Sequence, residues 1–297
     1  TPSVAEAAAI LAGDHRGGLI QNKQIYFSNE EESGAVTIAL AEIEKPFAPY
    51  KGELHLVGSG PGALKMLTSD SRQALTRCAV WIGYGPYLNY LESIRGHDQV
   101  RIDSQLTFEK DRCQHALDLA KQGVKVALIS SGDSGIYGMA GLALELWLNE
   151  RLDSRPLFEV HPGISSFQMA AAKLGAPFMH DFCSISLSDL LTPWNQIEKR
   201  IKSAAIGDFV LAIFNPKSIK RDWQLKKTVD LLLEFRNPST PVAIARQLGR
   251  PEESIEIHTL ETLPFDRVDM LTILVIGNSQ SVIKNNKFLT PRGYFSN

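Results

Sequence analysis

The sequence predicts an α/β protein made of two successive α/β domains, and three observations indicate this class. Short apolar runs typical of strands alternate with amphipathic runs typical of helices between residues 53 and 276. Such alternation favours a parallel sheet covered by helices. A Gly-Ala-Pro break at 175–177 divides the alternation into two parts. Each part is about a hundred residues long, which is the usual size of a domain.

The composition excludes several classes of protein. Of the 297 residues, 44% are hydrophobic and 22% are charged, so the chain is able to bury a core. The formal net charge of −2 gives no electrostatic reason to expect nucleic acid or a membrane as a partner. No apolar run is long enough to span a bilayer, and no basic segment precedes an apolar signal core. We therefore expect a cytoplasmic protein.

The cysteines indicate neither a metal site nor disulfides. Cys78, Cys113 and Cys183 lie far apart and form no metal-binding spacing. We assign no metal ligands from the sequence, and a reducing compartment fits this cysteine usage. The chain begins at Thr1 rather than Met, from which we expect a processed or excised fragment.

Residues 1–44 differ in composition from the rest of the chain. An Ala-rich helix is predicted near the start, with Ser3 as its N-cap and Gly13 at its end. The block is too small to bury a core alone. Two prolines occur in the segment 45–52, which we interpret as an interdomain linker.

The first α/β domain is predicted over 53–178 and the second over 179–284, with a tail at 285–297. Predicted strands of the first domain are 54–57, 79–82, 124–129 and 157–160, and its helices are 68–78, 108–121, 139–148 and 167–174. Predicted strands of the second domain are 182–186, 208–214, 241–245 and a terminal strand at 270–276, and its helices are 194–205 and 223–235. Charges and prolines at 250–269 indicate a hairpin or a loop.

The turn SGDSGIYG at 131–138 follows a buried strand and precedes a helix. Its glycines allow a backbone to approach a ligand without interference from Cβ atoms. Ligands of open α/β sheets bind beyond the carboxyl ends of strands, so Asp133 is placed to accept hydrogen bonds from a bound cation or hydroxyl. The alternative is an ordinary connection in which Asp133 caps the helix.

Nucleotide-binding motifs are excluded by their context. The segment GSGPGA at 58–63 matches GxGxxA after a strand. However, the helix begins only near Thr68, and the next strand ends without the carboxylate that holds an NAD ribose. The chain also contains no GxxxxGK[ST] motif, which excludes a P-loop.

Motifs in a fixed order carry a family resemblance. They are GSGPG at 58–62, SGDSGIYG at 131–138, HPGISS at 161–166, FNP at 214–216 and VAIARQLGRPEE at 242–253. Together they resemble the tetrapyrrole methyltransferases of cobalamin and sirohaem synthesis, over roughly 51–281. YGPYL at 84–88, SGDSGIYGMA and FNPKS are most similar to the branch that methylates C17 of precorrin-3B. Ser134 replaces the proline of most members and resembles that branch.

The resemblance implies the class III methyltransferase fold, with S-adenosylmethionine in a cleft between two α/β domains. It also implies a homodimer and a tetrapyrrole substrate, either precorrin-3B or cobalt-precorrin-3, in cobalamin biosynthesis. The residues that it implies for the cofactor are Pro61, Ser131, Gly132, Asp133, Tyr137, Ser165, Ser166, Phe214, Leu248 and Thr272.

Methyl transfer to a ring carbon requires alignment more than acid or base catalysis, so we expect no catalytic triad. The C17 branch also contracts the macrocycle, and that step requires proton movement. Asp133, His161 and Tyr84 are the catalytic candidates by position. A His beside Pro-Gly is more often a hydrogen-bonded structural residue, and this alternative stays open for His161.

The implied substrate is a polycarboxylate, which arginine pairs with in a bidentate manner. The substrate candidates are Arg246, Arg250 and Lys217. Arg246 directly follows a predicted strand, whereas Lys217, with Lys220 and Arg221, equally fits a solvated face. Other hypotheses are a sibling enzyme that methylates another ring carbon and a non-catalytic tetrapyrrole-binding module of a fused protein. Residues 1–44 resemble the C-terminal end of cobalt-precorrin-5A hydrolase, and we expect no hydrolase activity from them.

Overall fold

The computed structural model describes residues 52–218 and 221–294. The predicted N-terminal block 1–44 and all of the predicted linker except Gly52 lie outside these residues. Within the described part of the chain, no helix is both long and apolar enough to cross a bilayer. The chain forms two compact units, the first ending at Ile164 and the second beginning at Ser165. The domain boundary after residue 178 stays a prediction.

The first unit contains a five-stranded sheet in which every neighbouring pair is parallel. Its order is β3-β2-β4-β1-β5. The strands are β1 (Glu53–Gly58), β2 (Val80–Tyr84), β3 (Val100–Ser104), β4 (Lys125–Ser130) and β5 (Leu157–His161). The parallel α/β architecture predicted for this part of the chain is thereby confirmed.

Helices cover both faces of this sheet. They are α1 (Ser69–Arg77), α2 (Gly85–Asn89), α3 (Glu109–Lys121) and α4 (Ala140–Asn149), with short 3₁₀ helices at Leu64–Met66 and Glu92–Ile94. Leu56 and Leu128 pack with α3 and α4, whereas Val57 and Ile129 on the opposite face pack with α1. Burial on both faces explains the nearly continuous apolar runs of the central strands.

The strand β3 is not among the predicted strands, because the segment 95–107 is polar in sequence. This strand lies at the edge of the sheet and pairs with β2 alone. Its side chains are mostly half-exposed, and they include Arg101 and Asp103, which form an ion pair. An edge strand with charged residues lacks the apolar signal of a central strand. By contrast, the predicted helix start near Thr68 is confirmed, since Thr68 is the N-cap of α1 and its side chain accepts a hydrogen bond from Ser71 N.

The second unit contains a mixed five-stranded sheet of order β10-β9-β11-β8-β7 and a small sheet of order β12-β13-β6. In the larger sheet β7 and β8 are parallel, and the other neighbours are antiparallel. The strands are β6 (Gly175–Ala176), β7 (Phe182–Ser186), β8 (Val210–Phe214), β9 (Pro241–Arg246), β10 (Ser254–Thr259), β11 (Thr272–Ile276), β12 (Val282–Lys284) and β13 (Lys287–Leu289). The helices are α5 (Ser166–Leu174), α6 (Trp194–Ile206) and α7 (Trp223–Leu233), with a 3₁₀ helix at Phe265–Arg267.

Two expectations for the second unit are settled by these strands. The segment 250–269 contains β10, which pairs antiparallel with β9, so the hairpin interpretation is confirmed. The prediction that 270–276 is the terminal strand is wrong, because a β12–β13 hairpin follows it. Asn285 and Asn286 form its turn with φ values of 49° and 57°. A two-residue turn with two positive φ values is the signature of a hairpin, and Asn tolerates it well.

Arg236 holds several backbone segments of the second unit together. It is 7% exposed, and its guanidinium donates to the carbonyl oxygens of Gly277, Phe209 and Ala204 at 2.5, 2.5 and 3.4 Å. Burial lowers the pKa of this guanidinium. One buried guanidinium thus links α6, the residue before β8 and the residue after β11.

We expect Arg236→Met to lower the free energy of unfolding by about 3 kcal/mol, because buried carbonyl oxygens lose charged donors. Urea unfolding followed by circular dichroism measures this change. Arg200→Met on the exposed face of α6 is the matched control and is expected to change stability by less than about 0.5 kcal/mol. Equal stability of the two variants would contradict the role assigned to Arg236.

Candidate functional site

Turns after three adjacent strands meet at one edge of the first sheet. They follow β1, β4 and β5, which lie side by side. Gly60 N donates to Gly132 O at 3.0 Å, and Gly132 N donates to Gly60 O at 2.8 Å. Both residues have positive φ, 71° and 69°, a conformation that glycine adopts without strain. The turns after β1 and β4 are therefore joined backbone to backbone.

The turn after β5 approaches the other two even more closely. A Cβ atom on Gly163 would lie 2.0 Å from Gly132 O and 2.7 Å from the carbonyl carbon of Gly58. A Cβ atom on Gly58 would lie 2.6 Å from Gly163 N. No side chain fits between these backbones. The three turns therefore pack backbone against backbone, and the contact of the 131–138 turn with a ligand stays a prediction.

Asp133 links the turns after β4 and β5. Its Oδ1 accepts a hydrogen bond from Gly135 N at 2.8 Å, and its Oδ2 accepts one from Gly163 N at 2.9 Å. The interpretation of Asp133 as the cap of the following helix is wrong, because the N-cap of α4 is Met139. The carboxylate thus supports the shape of the turn, and its half-buried position leaves it accessible.

Two serine side chains stabilise the SGDSGIYG turn through hydrogen bonds with the backbone. Ser134 is fully buried and its Oγ donates to Leu56 O at 3.2 Å, a bond that a proline at this position would lack. Ser130 Oγ accepts from Met139 N at 3.2 Å. Tyr137 adopts a φ of 52° and is 52% exposed. A positive φ in a bulky residue stores strain and is typical of functional turns.

Predicted site residues of the first unit gather at this edge. Pro61, Ser131, Gly132, Asp133 and Tyr137 lie in the turns that follow β1 and β4. The catalytic candidate Tyr84 ends β2, the other neighbour of β4, and its ring contacts that of Tyr87 edge to face at 5.1 Å. These residues were predicted to lie where strands end, and in the structure they lie at the carboxyl ends of β1, β2 and β4.

The catalytic candidate His161 ends β5 but is 4% exposed. Its Nδ1–H donates to Asp70 Oδ2 at 2.7 Å, and its Nε2 lies 2.9 Å from Nδ1 of His55. Burial lowers the pKa of His55, which is fully buried. Both ring nitrogens of His161 therefore face protein groups, as a structural histidine would have them.

In the second unit, several predicted cofactor residues lie at one edge of the larger sheet. Phe214 ends β8, Leu248 follows β9, and Thr272 begins β11 opposite Arg246. Leu248 and Thr272 are each 5% exposed. Thr272 Oγ1 donates to Asp269 Oδ1 at 2.7 Å.

Ser165 and Ser166 begin the helix α5, which packs against β11. Ser165 is 2% exposed, and its N–H donates to Gln168 Oε1 at 2.8 Å. Within the unit, these residues make the contacts of a helix N-terminus. The first backbone N–H groups of a helix have no partner within the helix and are able to bind other groups.

The predicted substrate cations have protein partners. Arg246 donates to Asp269 Oδ2 through Nη2 at 2.7 Å and through Nε at 3.2 Å. Burial alone would raise the pKa of Asp269, but hydrogen bonds from Thr272 and Arg246 outweigh it and lower that pKa. Lys217 Nζ donates to Phe265 O at 3.1 Å. Arg250 lies in the turn between β9 and β10. Arg246 and Lys217 therefore stabilise loops in addition to any role with a ligand.

Sequence reasoning missed a cavity of about 380 Å³ in the first unit. It is lined by Ile82, Ile102, Asp103, Ser104, Gln105, Phe108, Asp111, Arg112 and His115. Arg112 is 5% exposed and donates to Gln105 O, and its Nε has no hydrogen-bond partner. That nitrogen is shielded from the cavity, and Asp103 and Asp111 add two carboxylates to the lining, so the cavity does not suit an anionic ligand. The cavity was missed because it forms beside β3, which the sequence did not predict.

Comparison with known proteins agrees with this architecture. The family described as Tetrapyrrole (Corrin/Porphyrin) Methylases matches residues 53–264. The probable cobalt-factor III C(17)-methyltransferase of Salmonella typhimurium is 43% identical over 241 residues, which are 81% of this chain and 99% of that protein. The precorrin-3B C(17)-methyltransferase of Sinorhizobium sp. is 38% identical over 254 residues, 82% of this chain and 97% of that protein.

The solved structures agree as well. The crystal structure of the methyltransferase CobJ superposes with a TM-score of 0.77 at 32% identity, covering 81% of this chain and all of that one. The family match spans both units, from β1 to the segment that follows β10. The chain therefore belongs to the tetrapyrrole (corrin/porphyrin) methylase family.

Proposed function

We propose that this protein transfers a methyl group from S-adenosylmethionine to C17 of precorrin-3B or its cobalt form, with contraction of the ring, in cobalamin biosynthesis. One observation carries the proposal. Relatives named for methylation at C17 match this chain at 43% and 38% identity over nearly their whole length. Identity at this level over both α/β units supports the same reaction class.

The glycine-lined edge of the first unit, which is formed by the turns after β1, β4 and β5 at the carboxyl ends of these strands, is the proposed cofactor site. S-adenosylmethionine supplies the methyl group from a sulfonium and is a polar molecule with many hydrogen-bonding groups. The turns around Gly60, Gly132 and Gly163 lie backbone against backbone with no room for a Cβ atom at Gly163, and Asp133 joins the turns after β4 and β5. Peptide groups held in this way orient a ligand with little reorganisation. Residues proposed to contact the cofactor are Pro61, Ser131, Gly132, Asp133, Tyr137, Ser165, Ser166, Phe214, Leu248 and Thr272.

The substrate carries several carboxylates and needs cationic partners. In the second unit, Arg246, Arg250 and Lys217 remain the proposed substrate residues. Because Arg246 is already paired with Asp269, a carboxylate that binds there must share the guanidinium.

Ring contraction requires a group that exchanges a proton. Asp133 accepts two backbone hydrogen bonds, and His161 faces protein groups through both nitrogens. Tyr84 ends a strand at the same edge of the sheet as the glycine-lined turns. We therefore propose Tyr84 as the first of the three candidates to replace, with Tyr84→Phe expected to reduce ring-contracted product more than methyl transfer.

The decisive experiment incubates the purified chain with S-adenosylmethionine and either precorrin-3B or cobalt-factor III. Mass spectrometry is expected to show one added methyl group, and NMR is expected to place it at C17 of a contracted ring. Methylation of another carbon would identify a sibling enzyme. If calorimetry detects no binding at micromolar S-adenosylmethionine, the chain is instead a non-catalytic tetrapyrrole-binding module.

The family resemblance also supports a homodimer and a cytoplasmic location. We propose both for this chain. Light scattering of the purified protein gives the mass of the particle in solution and tests the dimer directly. A mass equal to the 32.8 kDa of one chain would contradict it.

A further inference from the structure

Two histidines and a glutamate converge on the face of the first sheet that α1 covers. His55 on β1 lies directly opposite Glu159 on β5, and Val57 lies opposite His161. Because side chains alternate along a strand, His55, Glu159 and His161 share one face. Among residues 52–218 and 221–294, this is the group of three potential metal ligands whose ligand atoms all lie within 4.8 Å of one another.

The spacing of the three ligand atoms is that of a metal site. His55 Nδ1 lies 2.9 Å from His161 Nε2 and 3.4 Å from Glu159 Oε2, and His161 Nε2 lies 3.6 Å from Glu159 Oε2. Ligands about 2.0 to 2.1 Å from a tetrahedral zinc ion are separated by about 3.3 Å. The observed separations lie on both sides of this value, so one ion fits with small adjustments of the side chains.

The opposite nitrogens of both imidazoles donate to carboxylates. His55 Nε2–H donates to Glu53 Oε2 at 2.9 Å, and His161 Nδ1–H donates to Asp70 Oδ2 at 2.7 Å. An ionised carboxylate only accepts, so each ring carries its proton on that side. The lone pairs of His55 Nδ1 and His161 Nε2 therefore face each other beside the Glu159 carboxylate. Arg77 Nη2 lies 3.7 Å from Glu159 Oε2 and offsets the charge of that carboxylate, but the two nitrogen lone pairs repel each other unless a cation or an additional proton lies between them.

We propose that His55, Glu159 and His161 bind one divalent transition-metal ion of the zinc type. Imidazole nitrogen with one carboxylate oxygen suits such ions, whereas calcium and magnesium prefer oxygen ligands alone. Glu53 and Asp70 act as outer partners that orient the two imidazoles. Three protein ligands leave one coordination position for water or a small ligand, and Glu159, with 41% of its side chain exposed, is the accessible side of the site.

The ion would stabilise the turn after β5. His161 is followed by Pro162, whose carbonyl accepts from Thr68 Oγ1 at 2.9 Å and Ser71 Oγ at 3.0 Å. Gly163 N donates to Asp133. A metal ion at His161 would thus fix the strand end that supports the glycine-lined edge. This inference rests on the contacts within the first unit and does not depend on the proposed reaction.

The test uses the full chain without a polyhistidine tag, stripped with a chelator and then dialysed against buffered Zn²⁺. Elemental analysis is expected to find one ion per chain. With Co²⁺ as the probe, visible absorption bands typical of tetrahedral coordination are expected. Asp70→Asn, which keeps every ligand but weakens the orientation of His161, is expected to lower zinc affinity about 10- to 100-fold.

Removal of a ligand provides the second measurement. Because His55 is fully buried and its replacement risks misfolding, the variants are Glu159→Gln and His161→Gln. Both are expected to lose the stoichiometric ion while circular dichroism shows a folded chain. The matched control replaces both Glu256 and His258 on strand β10 with Gln. These two residues are two positions apart, as Glu159 and His161 are, and their side chains are 3.1 Å apart.

The control is expected to keep one ion per chain. Two results would overturn the proposal. One is a wild-type chain that takes up no zinc at micromolar free Zn²⁺, in which case a shared proton occupies the cluster. The other is folded Glu159→Gln and His161→Gln variants that bind zinc as tightly as the wild type.

Discussion

Gly163→Ala is expected to reduce methyl transfer by about 100-fold or more and to weaken binding of S-adenosylmethionine. The added Cβ atom would lie 2.0 Å from Gly132 O and 2.7 Å from the carbonyl carbon of Gly58. Both neighbours are backbone atoms, so the clash must separate the turns after β1, β4 and β5. A displacement of about 1 Å in a reacting geometry costs roughly 100-fold in rate. Calorimetry measures the affinity, and steady-state kinetics measures kcat/KM.

Gly141→Ala is the matched control for this substitution. Gly141 lies in α4, and no atom is found within 4 Å of a Cβ atom added there. Glycine in a helix is about 0.5 to 1 kcal/mol less favourable than alanine, so this variant is expected to be slightly more stable and fully active. If Gly163→Ala binds the cofactor as tightly as Gly141→Ala does, the glycine-lined edge is not the binding site.

Asp133→Ala is expected to weaken binding of S-adenosylmethionine by about 1 to 3 kcal/mol, because a charged acceptor of two hydrogen bonds is lost. Gly135 N and Gly163 N then lose their partner, and the turns after β4 and β5 separate. Asp133→Asn keeps one acceptor oxygen and is expected to lie between the wild type and Asp133→Ala. Calorimetry with the cofactor gives the three affinities.

Asp153→Ala serves as the control for Asp133→Ala. Asp153 is exposed in a turn of the same unit and pairs with Arg151, which is exposed as well. An exposed ion pair contributes little to stability, so cofactor affinity is expected to stay at the wild-type level. Unchanged affinity in a folded Asp133→Ala variant would restrict Asp133 to holding the turn.

The parts of the fold that could be predicted are those with local signals. The strand 124–129 is apolar except for Lys125, and Thr68 has the chemistry of an N-cap, so both were assigned from neighbouring residues alone. The turn at 131–138 was identified in the same way, because glycines after a buried strand indicate close backbone contact. The hydrogen bond from Gly163 N to Asp133 could not be predicted in this way, because Gly163 lies in the turn after β5, two strands away from β4 in the sheet.

The parts that could not be predicted depend on pairing between distant segments. The edge strand β3 has a polar sequence, and it is defined by its register with β2. His55 and His161 are separated by 106 positions, and no ligand spacing in the chain indicates that they meet. Their contact follows from the insertion of β5 beside β1. The Asn285-Asn286 pair did carry a local signal for a hairpin, and it was overlooked.

The position of β1 has a consequence for how the chain is made. This strand is the first of its sheet in sequence, yet it lies between β4 and β5. During synthesis β1, which includes Leu54 and Leu56, cannot pair with β4 until Lys125–Ser130 has emerged from the ribosome. At typical elongation rates that delay is on the order of several seconds. The nascent chain therefore exposes an unpaired apolar strand for long enough to benefit from a chaperone, and early truncation of the message would leave a fragment prone to aggregate.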